Sequence, residues 1–418
     1  MPSILPIFMN KKKIINDPIY GFINVESELI FDIIEHPYFQ RLRRIRQLGL
    51  TDLVYPGALH TRFHHALGAM HLMGLALNNL RLKGHEISDK EYESAQIAIL
   101  LHDIGHGPFS HTLEFTLLNG IHHEELSLII MQDINKQFNN ALDIALAMFK
   151  GSYKRKFFHQ LISGQLDIDR LDYLKRDGFY TGVSEGTIGS DRIIKLFDIV
   201  KDQLVLDEKG IYSIEHFLIA RRVMYWQVYL HKTTVSAENM LIQLIKRAQD
   251  LTKRGNNSIM TGTGLDFFLT NQVSNKNFTS NKSYLEAFLS IDDYDVWVSL
   301  KKWLNHQDFV LSYLSRGILE RKLFKISISP KPFDKTQIDG MRFEIGRKLK
   351  IENELIDYFL IKGVINNEAY VSGSEKINIL RKGGKMEDIA EASDLQNIKA
   401  MSKIVKKHYL CSPKYVYL

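Results

Sequence analysis

Apolar positions recur with helical rather than strand spacing over most of the chain. The exception at the start is Ile14-Ile15-Asn16-Asp17-Pro18-Ile19-Tyr20-Gly21, a short β-like run broken by a turn, which predicts an N-terminal strand or arm within residues 1–26. From Ser27 the pattern turns helical, and residues 38–49 predict a basic amphipathic helix stopped by Gly49. Thr61 can cap a helix running to about Lys83, with Phe63, Leu67, Met70 and Leu77 on its apolar stripe. Ser88 or Asp89 starts another helix, which runs through an apolar stretch to Leu101. Further helices are predicted after Pro108, from His122, and across residues 140–165 around an exposed basic loop at 153–156. In residues 166–178, helical spacing puts Asp169, Asp172 and Tyr173 on one face. Residues 185–212 mix a helix with a strand at 204–206 and a turn at 207–210, and one long helix carries Arg221 through Lys232. The Asn-, Ser-, Thr- and Gly-rich stretch 255–282 predicts a mobile loop or seam. Helices resume over residues 283–321, and strands and helices alternate from Phe324, with 369–371 among them. The expectation is a mainly α fold: an arm (1–26), a helical core (27–254) and a smaller mixed α/β C-terminal region (255–418).

Composition narrows the function classes. At 418 residues the chain has room for two or three domains at the usual size of about 150 residues each. Its apolar runs fall far short of a membrane span, and the first lysines follow rather than precede apolar residues, so a cytoplasmic protein without a membrane partner is expected. The single cysteine, Cys411, excludes an intramolecular disulfide and a cysteine-based zinc site, so any metal must be held by His and carboxylates. A net charge of +6 suits an anionic partner, a nucleotide or secondarily nucleic acid. Ten of the 16 histidines fall between His60 and His123, which points to a functional site in that window.

Within the window, Leu100-Leu101-His102-Asp103-Ile104-Gly105-His106-Gly107-Pro108-Phe109-Ser110-His111 places three imidazoles and a carboxylate where a helix stops. Both members of the His-Asp pair suit a transition metal, and the glycines allow close backbone approach. The order of His65 in Arg62-Phe63-His64-His65, then His102-Asp103, then an acid from residues 166–177, each on its own helix, resembles the HD phosphohydrolase superfamily. Within it the chain is most similar to the deoxynucleoside triphosphate triphosphohydrolases. The likeness is good over residues 13–232 and weaker to about 325.

This resemblance implies His65, His102, Asp103 and Asp169 as ligands of a divalent transition metal (Fe, Mn, Zn or Ni), with Mg on the nucleotide phosphates. It implies His106, His111, Glu114 and His123 around the triphosphate, with His111 as proton donor to the departing 5′-oxygen. Arg62, Arg170 and Arg221 match phosphate-contacting positions, Gln47 and Asp177 those holding the 3′-hydroxyl, and Leu48 with Tyr229 a wall against the 2′ side; Tyr173 belongs to the same substrate-binding set. The implied reaction is water attack on the α-phosphorus of a dNTP, giving deoxynucleoside and inorganic triphosphate. Lys13, Asn16, Glu35, Gln40, Arg43, Arg321 and Lys325 resemble effector-nucleotide residues of allosteric relatives, where a dNTP or GTP binds between subunits of a homo-oligomer, a dimer or tetramer. Glu114 and Glu35 stand where a familiar relative has Asp, Arg170 where it has Lys, and Asp207 where it has an effector-site Arg. Two other readings stay open: an HD nuclease or phosphodiesterase on single-stranded or cyclic nucleotides, and a nucleotide- or nucleic-acid-binding protein using Lys13, Arg43 and the 154–156 loop.

Overall fold

The computed structural model describes residues 13–367, 376–395, 398 and 405–417. The fold is mainly helical. Its centre is helix Arg62–Leu82, which packs against Asp89–Leu101 and Ile168–Thr181. That central helix buries residues on nearly every side, including Phe63, Ala66, Met70, Met73, Ala76 and Leu80, as a core helix must. Its start is a reciprocal cap in which His64 takes the place usually held by Glu: its Nδ1 accepts from the Thr61 backbone N–H at 3.2 Å. Ser88 and Glu91 make the corresponding box for Asp89–Leu101, and Asp167 caps Ile168–Thr181.

Four small sheets surround this core. Lys13–Asp17 and Gly21–Val25 form an antiparallel hairpin with Lys13 opposite Val25. A four-stranded sheet runs in the order Met386–Asp388, Asn378–Leu380, Gln203–Asp207, Phe197–Val200, its central pair parallel. Val405–Ser412 lies between Lys325–Ser329 and Ile361–Asn367, antiparallel to both. Leu118–Asn119 pairs in parallel with Val273–Ser274. Two of these sheets therefore cross the boundary expected at residue 254.

Several local expectations are corrected. Residues 38–49 are not one helix: Pro37–Gln40 is followed by a tighter turn, Arg41–Arg44, and then the chain extends. The cause is pairing, because Arg62 N–H donates to Ile45 O (2.9 Å) and Gln47 N–H to His60 O (3.0 Å), which needs an extended backbone. Within this segment Arg41 is buried over the Phe288 ring. The long helix through Lys232 is two: Ile211–Met224 widens into a π-turn at Tyr225–Tyr229, and His231 caps a new helix, Lys232–Lys253. Stretch 255–282 holds the helices Leu265–Thr270 and Asn275–Ser280, anchored by buried Leu265, Phe268 and Val273. The 153–156 loop is only partly exposed, because Arg155 lies over Phe157 and both Tyr153 and Arg155 bond Glu91. Residues 369–371 lie outside the described residues, as do 1–12 of the expected arm.

Candidate metal centre and substrate site

Three helices deliver the first cluster. His65 comes from the first turn of Arg62–Leu82, His102 from the end of Asp89–Leu101, and Asp169 from the first turn of Ile168–Thr181. The Nε2 atoms of His65 and His102 are 3.4 Å apart, and Asp169 Oδ1 lies 3.0 and 3.3 Å from them. Each imidazole is fixed from behind: His65 Nδ1 is 2.7 Å from Asp172 Oδ2, and His102 Nδ1 is 2.6 Å from Ile99 O. A carboxylate and a carbonyl only accept, so both Nδ1 atoms carry hydrogen, and both neutral rings present Nε2 lone pairs to the same point. Two lone pairs and a carboxylate converging in a buried site repel unless a cation lies between them. The donor set thus fits a divalent metal. With a proton in the cation's place, burial opposes a charge on His65, but Asp169 and Asp172 outweigh it and hold its pKa up at about 10. Burial likewise opposes ionisation of Asp169, yet the two imidazoles keep its carboxyl well below the usual range.

Asp103 stands at the flank. Its Oδ1 is 3.3 Å from both His102 Nε2 and His106 Nε2, while Oδ2 receives Arg62 Nη1 at 2.5 Å and lies 3.8 Å from His65 Nε2. Asp103 therefore joins the metal cluster to a second one. There the His106 and His123 rings stack at 3.9 Å, with His111 edge-on at 5.1 and 5.4 Å. Glu114 accepts from His123 N–H (2.7 Å), lies 3.0 Å from His123 Nδ1 and 3.7 Å from His111 Nδ1. Burial pushes its carboxyl up, but the nearby His111 imidazole and the His123 hydrogen bonds outweigh it and keep it ionised. His106 Nδ1 contacts the Ser110 hydroxyl; burial and the Arg62 guanidinium push its pKa well down, so it stays neutral. Gly105 is required here by close approach: a Cβ would meet His123 O at 2.2 Å and Ser127 N at 2.3 Å.

On the other side of Tyr173, the Asp177 carboxylate receives Tyr229 O–H (2.8 Å) and lies 2.7 Å from His60 Nε2, while His60 stacks on Tyr180 at 4.4 Å. Leu48 is half-buried beside the core, and Gln47 keeps a buried, unpartnered Oε1. Arg221 Nη1 donates to Gln165 Oε1 (3.1 Å), and Arg170 is turned onto Asp167 and Gly164 O. Arg62, Arg170 and Arg221 each retain a buried Nε without a partner.

The hairpin makes a separate cavity of about 360 Å³ that brings together Lys13, Asn16, Glu35 and Arg43. Lys13 and Glu35 pair at 3.6 Å, and Arg43 lies over Phe63 and donates to Gln40 Oε1 (2.8 Å). Arg321 and Lys325 do not line it; Arg321 donates instead to Leu53 O at 2.7 Å.

Sequence reasoning missed the backing residues. Asp172 is itself gripped by Arg176 (2.9 and 3.0 Å), which reaches Asp17 of the hairpin at 2.8 Å. The signal was present as Asp172 and Arg176 four apart on one helix. His60 as the partner of Asp177, and Gln165 as that of Arg221, had none.

Residues 62–177 match the HD domain and 188–276 an HD associated region. The chain is 32% identical to the uncharacterized protein YwfO of Bacillus subtilis over 92% of its length and 88% of that protein's. It is 29% identical to human deoxynucleoside triphosphate triphosphohydrolase SAMHD1 over 63% of this chain, spanning about half (49%) of that protein. The crystal structure of a phosphohydrolase from Bacteroides thetaiotaomicron superposes with a TM-score of 0.92 at 51% identity, covering 96% of this chain and 99% of that one. The chain belongs to the HD-domain phosphohydrolases, with a catalytic part like that of SAMHD1, and is a metal-dependent hydrolase.

Proposed function

We propose that the protein hydrolyses deoxynucleoside triphosphates to deoxynucleoside and inorganic triphosphate. The observation that carries this is the set of unsatisfied buried groups: Nε of Arg62, Arg170 and Arg221, donors suited to phosphate oxygens, and Oε1 of Gln47, an acceptor suited to a sugar hydroxyl. Arg62 reaches Asp103, which lies between the metal-type and imidazole clusters, and Arg170 directly follows Asp169; this arrangement suits a polyphosphate bound to a sugar. The similarity to SAMHD1 supports the same substrate class.

In this reading His65, His102, Asp103 and Asp169 would hold the metal, which when bound would lower the pKa of water and act as a Lewis acid toward the phosphate. The arginines meet the negative charge that spreads over the phosphoryl oxygens. Water adds to the α-phosphorus and loses a proton to solvent, the bond to the 5′-oxygen breaks, and His111 delivers a proton to that oxygen. His111 is exposed and backed by the ionised Glu114, so it can take up a replacement proton from solvent. Asp177, held by His60 and Tyr229, faces the 3′-hydroxyl, and Leu48 with Tyr229 leaves no partner for a 2′-hydroxyl.

We further infer that the hairpin cavity takes an effector dNTP or GTP. Because Arg321 and Lys325 lie outside it, they serve that nucleotide from another copy in a homo-oligomer. Incubating the Mn- or Mg-loaded protein with each dNTP, singly and in pairs, tests both readings. Ion exchange is expected to resolve deoxynucleoside and triphosphate, faster with some pairs. Monophosphate with pyrophosphate, or cleavage of oligonucleotides alone, overturns the assignment.

A further inference from the structure

Helix Asp293–Trp303 does not need Asp293 to begin. Asp292 accepts from Tyr294 N–H at 2.9 Å, and Asp295 accepts from Asp292 N–H at 2.8 Å, completing the cap. The Asp293 carboxylate, 3% exposed, turns away from the helix instead. Its Oδ1 accepts from the Phe109 backbone N–H and its Oδ2 from that of Arg46, both at 2.9 Å.

Those two amides belong to the two halves of the substrate site. Phe109 sits in the loop between His106 and His111, and it is left-handed (φ 48°), followed by Ser110 at φ 21°. Neither is glycine, so this backbone persists only where its surroundings over-determine it. Arg46 directly precedes Gln47 and Leu48. The same short segment is fastened nearby: Arg41 Nε donates to Ile291 O at 2.9 Å, and Arg44 pairs with Asp292. A carboxylate kept at this depth is costly; burial pushes its pKa up to about 6 against the two amide bonds.

We propose that Asp293 is a positioning residue: one buried carboxylate, accepting from two backbone amides, fixes the spacing between the imidazole loop (His106–His111 side) and the sugar-side segment (Gln47-Leu48). It touches no reacting atom, and its contribution to turnover rests on the hydrolase reading above.

The test uses the full chain loaded with Mn, comparing wild type, D293A, D293N and D292N. Hydrolysis of dGTP and of bis(4-nitrophenyl) phosphate is followed together with metal content, melting temperature and amide hydrogen exchange. In D293A, exchange should accelerate in peptides covering both 44–48 and 105–111, by about tenfold. Metal content should stay at the wild-type level, and kcat should fall about 100-fold, the scale of a small misplacement of reacting groups, with a much smaller rise in KM. D293N keeps one acceptor oxygen and should recover part of kcat; it also carries the test should D293A fail to fold. D292N, which keeps an acceptor oxygen for the helix cap but loses the charge paired with Arg44, should lower the melting temperature slightly while kcat stays within about threefold. Equal kcat losses in D292N and D293A at equal loss of stability overturn the proposal, as does wild-type kcat in D293A or unchanged exchange in either peptide. If wild type turns over the chromogenic diester but no dNTP, the triphosphohydrolase reading fails while Asp293 is still tested by exchange and by the diester.

Discussion

The metal end of the site and the hairpin cavity are built on opposite plans. Around His65 and His102 every ring is buried and its rear nitrogen is held, by Asp172 and by Ile99 O. Around Lys13 and Glu35 the groups are long, about half exposed and paired at 3.6 Å. The first region is complete within one chain and preorganised, while the second gathers four of the seven expected effector residues and leaves Arg321 and Lys325 elsewhere. The buried cluster holds its groups at fixed points, whereas the half-exposed groups of the hairpin cavity are free to adjust.

Removing a metal-facing group should separate the two regions most sharply. Asp169→Ala is expected to cut turnover about 1000-fold or more and to abolish stoichiometric metal by elemental analysis, because it removes the only carboxylate oxygen within 3.0 Å of His65 Nε2 among the described residues. Next comes the rear support: Asp172→Asn keeps the volume but frees His65 from one tautomer, and metal affinity measured by competition with a chelator should fall about 10- to 100-fold. At the hairpin, Lys13→Ala with Arg43→Ala should reduce stimulation of turnover by a second nucleotide about tenfold, read from paired-nucleotide assays, with metal content unaltered.

The smallest effect concerns Glu238, behind the helix Ser110–Leu117 that carries His111 and Glu114. Burial pushes its carboxyl up to about 7, with a hydrogen bond from Thr112 only partly opposing. Its folded pKa lies above the unfolded value of 4.5, so the folded form is favoured below 4.5, and that advantage is lost as pH rises from 4.5 to 7. Glu238→Gln should therefore raise the melting temperature at pH 8 relative to wild type by roughly 2 °C and leave it little changed at pH 4.5.

What was legible in the sequence follows from how local each signal is. The helices Arg62–Leu82 and Asp89–Leu101 were readable because a cap residue precedes an apolar stretch in each, and Ile168–Thr181 from helical spacing alone, its Asp167 cap appearing only in the fold. The grouping of His65, His102 and Asp169 came from motif order and family resemblance, since nothing in spacing alone brings residues so far apart together. Residues 38–49 misled because their basic, apolar composition suits a helix, whereas pairing of Ile45 and Gln47 with Arg62 and His60 forces them to extend. That is a tertiary override of local propensity. The break at Tyr225–Tyr229 carries no glycine or proline to announce it, and the backing carboxylates read as one charged helix face until the fold shows which ring each faces.

The parallel pairing of Gln203–Asp207 with Asn378–Leu380 has a consequence for how the chain is made. The strand Gln203–Asp207 waits for a partner about 170 residues further along the chain, and a contact of such long sequence separation is slow to close. Until then the strand presents an open edge, a template for pairing with a neighbouring nascent chain. This sheet is thus closed only after a distant part of the same polypeptide has been made.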